Sequence, residues 1–165
     1  MTKLDKMREK IEDVVKTTFE RVGKIEKPTW FMETCNGEKS LGFTPYINQD
    51  QLVKIIESIK NMMEEQDVCR YIFVNECWLA YSPEMIGSFY DTVIKTPKPS
   101  SIEDVQGRRE IVMLSGEDRD TKEEFLSVFT IDRTGTTPTL VKDTKVYSTE
   151  YSAFGNMFTT NRTLH

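Results

Sequence analysis

The chain runs to 165 residues, of which 38% are hydrophobic, 10% aromatic and 30% charged, a balance that fits one domain with a core needing no metal or disulfide staples. Its 22 Lys and Arg stand against 27 Asp and Glu, a formal charge of −5, which argues against nucleic-acid backbone binding, where a basic face must displace counterions. No run approaches the ~20 apolar residues of a membrane span, and Met1 to Val22 is charged throughout rather than built like a secretory leader, so a cytoplasmic protein is expected.

From about Thr2 to Val22, apolar residues Leu4, Met7, Ile11, Val14, Val15, Phe19 and Val22 recur at three- and four-residue steps, the pattern of an amphipathic helix. Thr2 suits its cap and Gly23 its stop. Pro28 breaks the chain, and Trp30 to Cys35 then reads as a strand. Asn36-Gly37 forms a hairpin turn, because both residues tolerate positive φ, with Ser40 to Thr44 as the returning strand. A second amphipathic helix covers about Gln49 to Gln66, its apolar stripe carried by Leu52, Ile55, Ile56, Ile59, Met62 and Met63.

Val68 to Tyr81 is apolar on both parities, as expected of a central strand covered on two sides. Ser82-Pro83 starts a short helix, and Lys95 to Gly107 reads as a long connecting loop. Glu110 to Ser115, Phe125 to Ile131 and Pro138 to Tyr147 read as three further strands. The charged stretch Gly116 to Glu124 joins the first two, with a solvated turn at Glu117 to Asp120. Asp132-Arg133-Thr134-Gly135 joins the last two, giving an antiparallel meander. A short helix is expected over about Thr149 to Phe158. The fold class is therefore α+β: a mostly antiparallel sheet of about five to six strands, with two main amphipathic helices packed on it.

Absences narrow the chemistry. The only histidine is the terminal His165, which removes Ser-His-Asp and Cys-His catalysis and histidine-based zinc or iron sites. The glycines are spread singly, and no Gly-x-x-x-x-Gly-Lys phosphate loop exists. No cofactor is implied. Cys69 and Cys77 lie on one strand, roughly 26 Å apart at ~3.3 Å per residue, so they cannot pair. Cys35 can pair with one of them at most, and buried reduced thiols are expected.

Carboxylates remain. Glu33 and Glu76 fall inside strands, Glu110 begins another, and Glu117, Asp118 and Asp120 follow it. A cluster drawn from Glu33, Glu76, Glu110 and Asp118 is suited to Mg²⁺ or Mn²⁺ and phosphodiester cleavage, with Arg108, Arg109 or Arg119 near the phosphate. Glu76 stands out, since a charge inside the most apolar strand is costly unless paired or protonated. The plainer reading is a structural ion pair with Arg70, Arg108 or Arg109. Trp30, Trp78 and Tyr71 have the faces to stack on bases, but no Lys or Arg interleaves with them at the density that needs, and core packing accounts for them better.

Asn75-Glu76-Cys77-Trp78 and the stretch Arg108 to Asp118 resemble a group of uncharacterised bacterial and phage proteins, in which a Glu-x-Trp strand is followed by a loop, Arg-x-Glu and a hydrophobic strand. That group often carries a His-Pro-Asp step before the Arg, whereas Ser101 to Gly107 here has neither His nor Pro. The resemblance implies a phage or bacterial cytoplasmic context and no particular activity. Three functional readings follow. The leading one is a non-enzymatic accessory or protein-interaction protein, with a protein partner or a second copy as homodimer. The second is a metal-dependent hydrolase or nuclease using Glu76 with Glu33 or Glu110. The third is a small-ligand pocket on the sheet, lined by Trp78, Tyr71 and Arg109.

Overall fold

The computed structural model describes residues 1–44, 49–79, 109–143 and 157–158, and for residues 49, 50, 52, 78 and 79 their backbone only. Within these lie two helices, α1 (Lys3–Val22) and α2 (Gln49–Glu65), and six strands: β1 (Thr29–Thr34), β2 (Lys39–Phe43), β3 (Val68–Leu79), β4 (Arg109–Asp118), β5 (Glu124–Asp132) and β6 (Thr139–Lys142). The strands form one antiparallel sheet in the order β2-β1-β3-β4-β5-β6. This is the expected α+β class. The helix expected from Ser82, the loop Lys95 to Gly107, Arg108 and most of the expected C-terminal helix lie outside the described residues.

Local chemistry sets the element ends. The Thr2 hydroxyl accepts from the Asp5 amide at 3.1 Å, and the Thr2 amide donates back to Asp5 Oδ2 at 3.0 Å, a capping box that satisfies two otherwise free amides. Gly23, at φ 86°, ends α1 with its N–H on the Phe19 carbonyl at 2.6 Å. This left-handed position suits glycine, which has no Cβ to clash. Asn36-Gly37 turns β1 into β2 as expected, with Gly37 also at φ 86°.

The sheet is covered on both faces. On one, α1 contributes Leu4, Val15 and Phe19 to a core with Ile72, Val74, Val112, Leu114, Phe129, Ile131 and Leu140. Val14 and Val22 do not join the α1 stripe as expected; they are exposed. On the other face, Ile56 and Met63 of α2 pack with Trp30, Met32, Tyr71, Phe73 and Met157. The Trp30 ring lies 4.5 Å from that of Phe73 and 5.4 Å from that of Tyr71, so these two candidate stacking residues are core aromatics.

The largest departure from expectation is in β4. The strand does not stop at Ser115 but runs on to Asp118, and Glu117 and Asp118 are buried rather than forming a solvated turn. Gly116 makes the extension possible. A Cβ there would meet the Phe125 ring at 2.5 Å and the Tyr71 carbonyl at 2.7 Å, so only glycine lets Phe125 lie across β4 beneath the Arg8 guanidinium, 4.7 Å from the ring centroid.

Candidate functional site

The expected carboxylates fall into two pairs, each around its own arginine, at opposite ends of the β3–β4 ladder. Antiparallel pairing of β3 with β4 sets Arg70 opposite Asp118 and Glu76 opposite Val112, six positions apart on β3, which is roughly 20 Å of strand. At one end, the buried Arg70 guanidinium donates to Glu33 Oε2 at 2.9 Å and to Asp118 Oδ2 at 3.1 Å. Glu33 and Asp118 therefore belong to an ion triad, apart from Glu76.

At the other end, Arg133 donates to Glu110 Oε2 at 2.6 Å and stands 3.9 Å from Glu76 Oε1, while the Ile25 amide donates to Glu76 Oε2 at 2.8 Å. The arginine facing Glu76 is thus neither Arg70 nor Arg109. Arg109 projects from the opposite face of β4, held by Thr130 Oγ1 and Asp143 Oδ2, each at 2.7 Å. The sheet therefore separates Arg109 from Glu76 and Glu110, which share Arg133 on the other face. Arg133 was missed because the turn that carries it lies 57 residues from Glu76 in sequence.

Of the three residues expected to line a sheet pocket, Arg109 is bound to Thr130 and Asp143. Tyr71 is fully buried, with its hydroxyl on Glu117 Oε2 at 2.5 Å, and Trp78's side chain lies outside the described residues. Glu117 also accepts from the Phe158 amide at 3.2 Å. Burial pushes its carboxyl above the usual range, against the opposing pull of the Tyr71 hydroxyl. Asp118 goes the other way. Burial alone raises it, but the Thr121 amide, Arg70 and the Asp120 amide outweigh that and hold it below the usual range.

A cavity of about 440 Å³ does open elsewhere, between the first half of α1 and the β1–β2 hairpin. Its apolar surface comes from Met7, Ile11 and Phe31, and its rim from Lys3, Lys6, Lys10 and Lys39. The helical spacing puts Lys3, Lys6 and Lys10 in one line. Among the described residues none of these four lysines has an ion-pair partner. Arg8, Lys24, Arg70, Arg109, Arg119, Arg133 and Lys142 each have one, while Lys16, Arg21, Lys27, Lys54, Lys60 and Lys122, like these four, have none among the described residues. What sets the four apart is that they share one rim. Lys3 and Lys6 also sit in the first turns of α1, where the helix dipole favours anions, so helix stability does not account for them. The lysine spacing was visible in the sequence; that a hairpin would stand opposite it was not.

Beside the groove lies β2, which among the described residues is an edge strand of the sheet. β2 carries Leu41 and Phe43 at 54% and 59% exposure, on the same face as Phe31, because Leu41 pairs directly with Phe31. Among the described residues no helix is long and apolar enough to cross a membrane. No protein-family pattern matches this chain, and neither a curated protein nor a solved structure is similar enough to count as a match.

Proposed function

We propose that this chain works as a protein-interaction module, binding an acidic, partly apolar segment of another protein along the groove between α1 and β2. The observation that carries this reading is the row of lysines over an apolar floor, which among the described residues have no ion-pair partner and stand next to an edge strand. Among the described residues β2 pairs with β1 alone, and the backbone N–H and C=O groups of an edge strand suit addition of an extended segment. Leu41, Phe43 and Phe31 offer apolar contact for alternate side chains, and Lys3, Lys6, Lys10 and Lys39 select acidic ones. A homodimer through this same edge is disfavoured, because an isologous pairing would bring two sets of these lysines together. The hydrolase reading has less support, since each pair of proposed acids already holds a guanidinium between them where a metal ion would sit. The resemblance to bacterial and phage proteins fits an accessory role in a cytoplasmic setting.

The test is selection of random decapeptides displayed on phage against the purified chain. Enrichment of sequences mixing Asp or Glu with apolar residues is expected. Their synthetic counterparts should bind about tenfold or more weakly to the Lys6→Glu, Lys10→Glu double variant, and more weakly at high salt. No enrichment, enrichment of basic sequences, or binding indifferent to charge reversal would overturn the reading. So would a sedimentation profile showing a dimer that survives charge reversal.

A further inference from the structure

The cysteines are not the three buried reduced thiols that the sequence led us to expect. Cys35 and Cys69 are joined as a disulfide, with Cα atoms 5.0 Å apart, and only Cys77 is free. Burial pushes the Cys77 thiol up to about 12, with the Glu76 charge adding to the shift, so it stays protonated. A register shift between Glu33 and Thr34 in the β1–β3 pairing brings the other two together. The Cys35 amide then bonds the Asp67 carbonyl at 3.0 Å, beside the first residues of β3.

The two sulfurs have unlike surroundings. Cys35 is exposed, whereas Cys69 has no accessible surface. Arg119, in the turn after β4, is tied down by its amide to the Cys69 carbonyl at 2.8 Å. Its Nη2 stands 2.8 Å from Cys35 Sγ and 3.4 Å from Cys69 Sγ. Asp67 Oδ1 accepts from the same nitrogen at 3.0 Å, and Asp120 Oδ2 lies 3.4 Å from Cys69 Sγ, placed to accept from its S–H once reduced. A permanent staple gains nothing from a guanidinium on its accessible sulfur. A thiolate does.

We infer that Cys35–Cys69 is a redox-active pair that exchanges with anionic thiols of the glutathione type. The incoming thiolate attacks the accessible Cys35 Sγ. The S–S bond breaks, its electron pair passes to Cys69 Sγ, and that sulfur takes up a proton. A second thiol then attacks the mixed disulfide at the outer sulfur, releasing the external disulfide and leaving Cys35 as a thiolate beside Arg119. Two external thiols thus supply the two electrons; of their two protons one ends on Cys69 and the other is released to solvent, because Cys35 stays a thiolate. Cys35 also lines the lysine-rimmed cavity together with Lys39, which favours a thiol bearing carboxylates over one bearing an amine. The inference does not depend on the peptide-binding reading.

The whole chain is equilibrated in reduced and oxidised glutathione at neutral pH, quenched with a thiol alkylator, and read residue by residue by mass spectrometry. Cys35 and Cys69 should interconvert reversibly, with the transient glutathione adduct on Cys35 alone. Exchange with glutathione should outpace exchange with cysteamine, and that preference should shrink in Lys39→Glu. Arg119→Gln should shift the equilibrium at least tenfold toward the disulfide, about 30 mV for a two-electron couple, with Arg119→Lys restoring part of it. Circular dichroism on each variant separates this shift from misfolding. A disulfide that resists glutathione until the chain unfolds would make it a staple and overturn the inference. So would thiols that never oxidise, or an Arg119→Gln variant that folds and leaves the equilibrium unmoved. Since Cys35, Cys69 and Asp120 present ligand atoms all within 4.8 Å of one another, stoichiometric Zn²⁺ uptake that protects both thiols from alkylation would overturn it as well.

Discussion

Glu117 and Asp118 are consecutive residues of β4, both buried, yet their surroundings push them in opposite directions. The pleat sends them to opposite faces. Glu117 meets the apolar α2 side, where a phenol and a backbone amide donate to it. Asp118 meets Arg70 and two amides of the following turn. Burial raises both acids, and at Asp118 the Thr121 amide, Arg70 and the Asp120 amide outweigh it.

Removing the cation that makes Asp118 an anion should have the largest effect. Arg70→Met would leave Asp118 buried and uncompensated, and breaking such a pair from one side costs about 3–5 kcal/mol. Urea unfolding would measure it. A loss under about 1 kcal/mol would mean that water reaches the triad and that the two acids differ less than their settings imply.

Acid titration sharpens the comparison further, and its signs are opposite for the two residues. Asp118 is depressed in the folded chain, so its contribution is complete above its unfolded value, ~3.9, and is lost as pH falls through the folded one. Glu117 is raised. Its contribution is complete below ~4.3 and is lost as pH rises through the folded value. Following unfolding free energy over about pH 3 to 7, Glu117→Gln should gain on the wild type as pH rises. Asp118→Asn should lose ground over the acid end of that range. Parallel curves for the two variants would show that β4 does not divide their environments.

Much of the architecture could be read directly from the chain. Thr2 and Gly23 bracket α1, Asn36-Gly37 turns the first hairpin, and the two-sided apolarity of β3 marks it as central. These signals are local, carried by neighbours a few residues apart. The environment of β4's end is different. Gly-Glu-Asp-Arg-Asp has the composition of a solvated turn, and the partners that make it interior are Tyr71 and Arg70, 46 and 48 residues away. The disulfide was hidden for a similar reason: it depends on a single register shift in β1, which no composition announces. Glu76 stands out in the sequence as a charge inside an apolar strand, but the guanidinium that faces it comes from a turn two strands further on.

The two arginine sites supply the last and smallest expected effect. Arg70 and Arg133 each face two carboxylates, but Arg70 is 6% exposed and Arg133 46%. Arg133→Ala leaves Glu110 partly open to water and leaves Glu76 with the Ile25 amide, so neither acid is stranded. The loss should stay under about 1 kcal/mol and shrink with added salt, as exposed pairs do. Because the two sites lie at opposite ends of the β3–β4 ladder, the Arg70→Met and Arg133→Ala losses should add to within about 0.5 kcal/mol in the double variant. A loss from Arg133→Ala as large as that from Arg70→Met would place the critical buried anion at Glu76 instead of Asp118, and would reverse the order of the two ends.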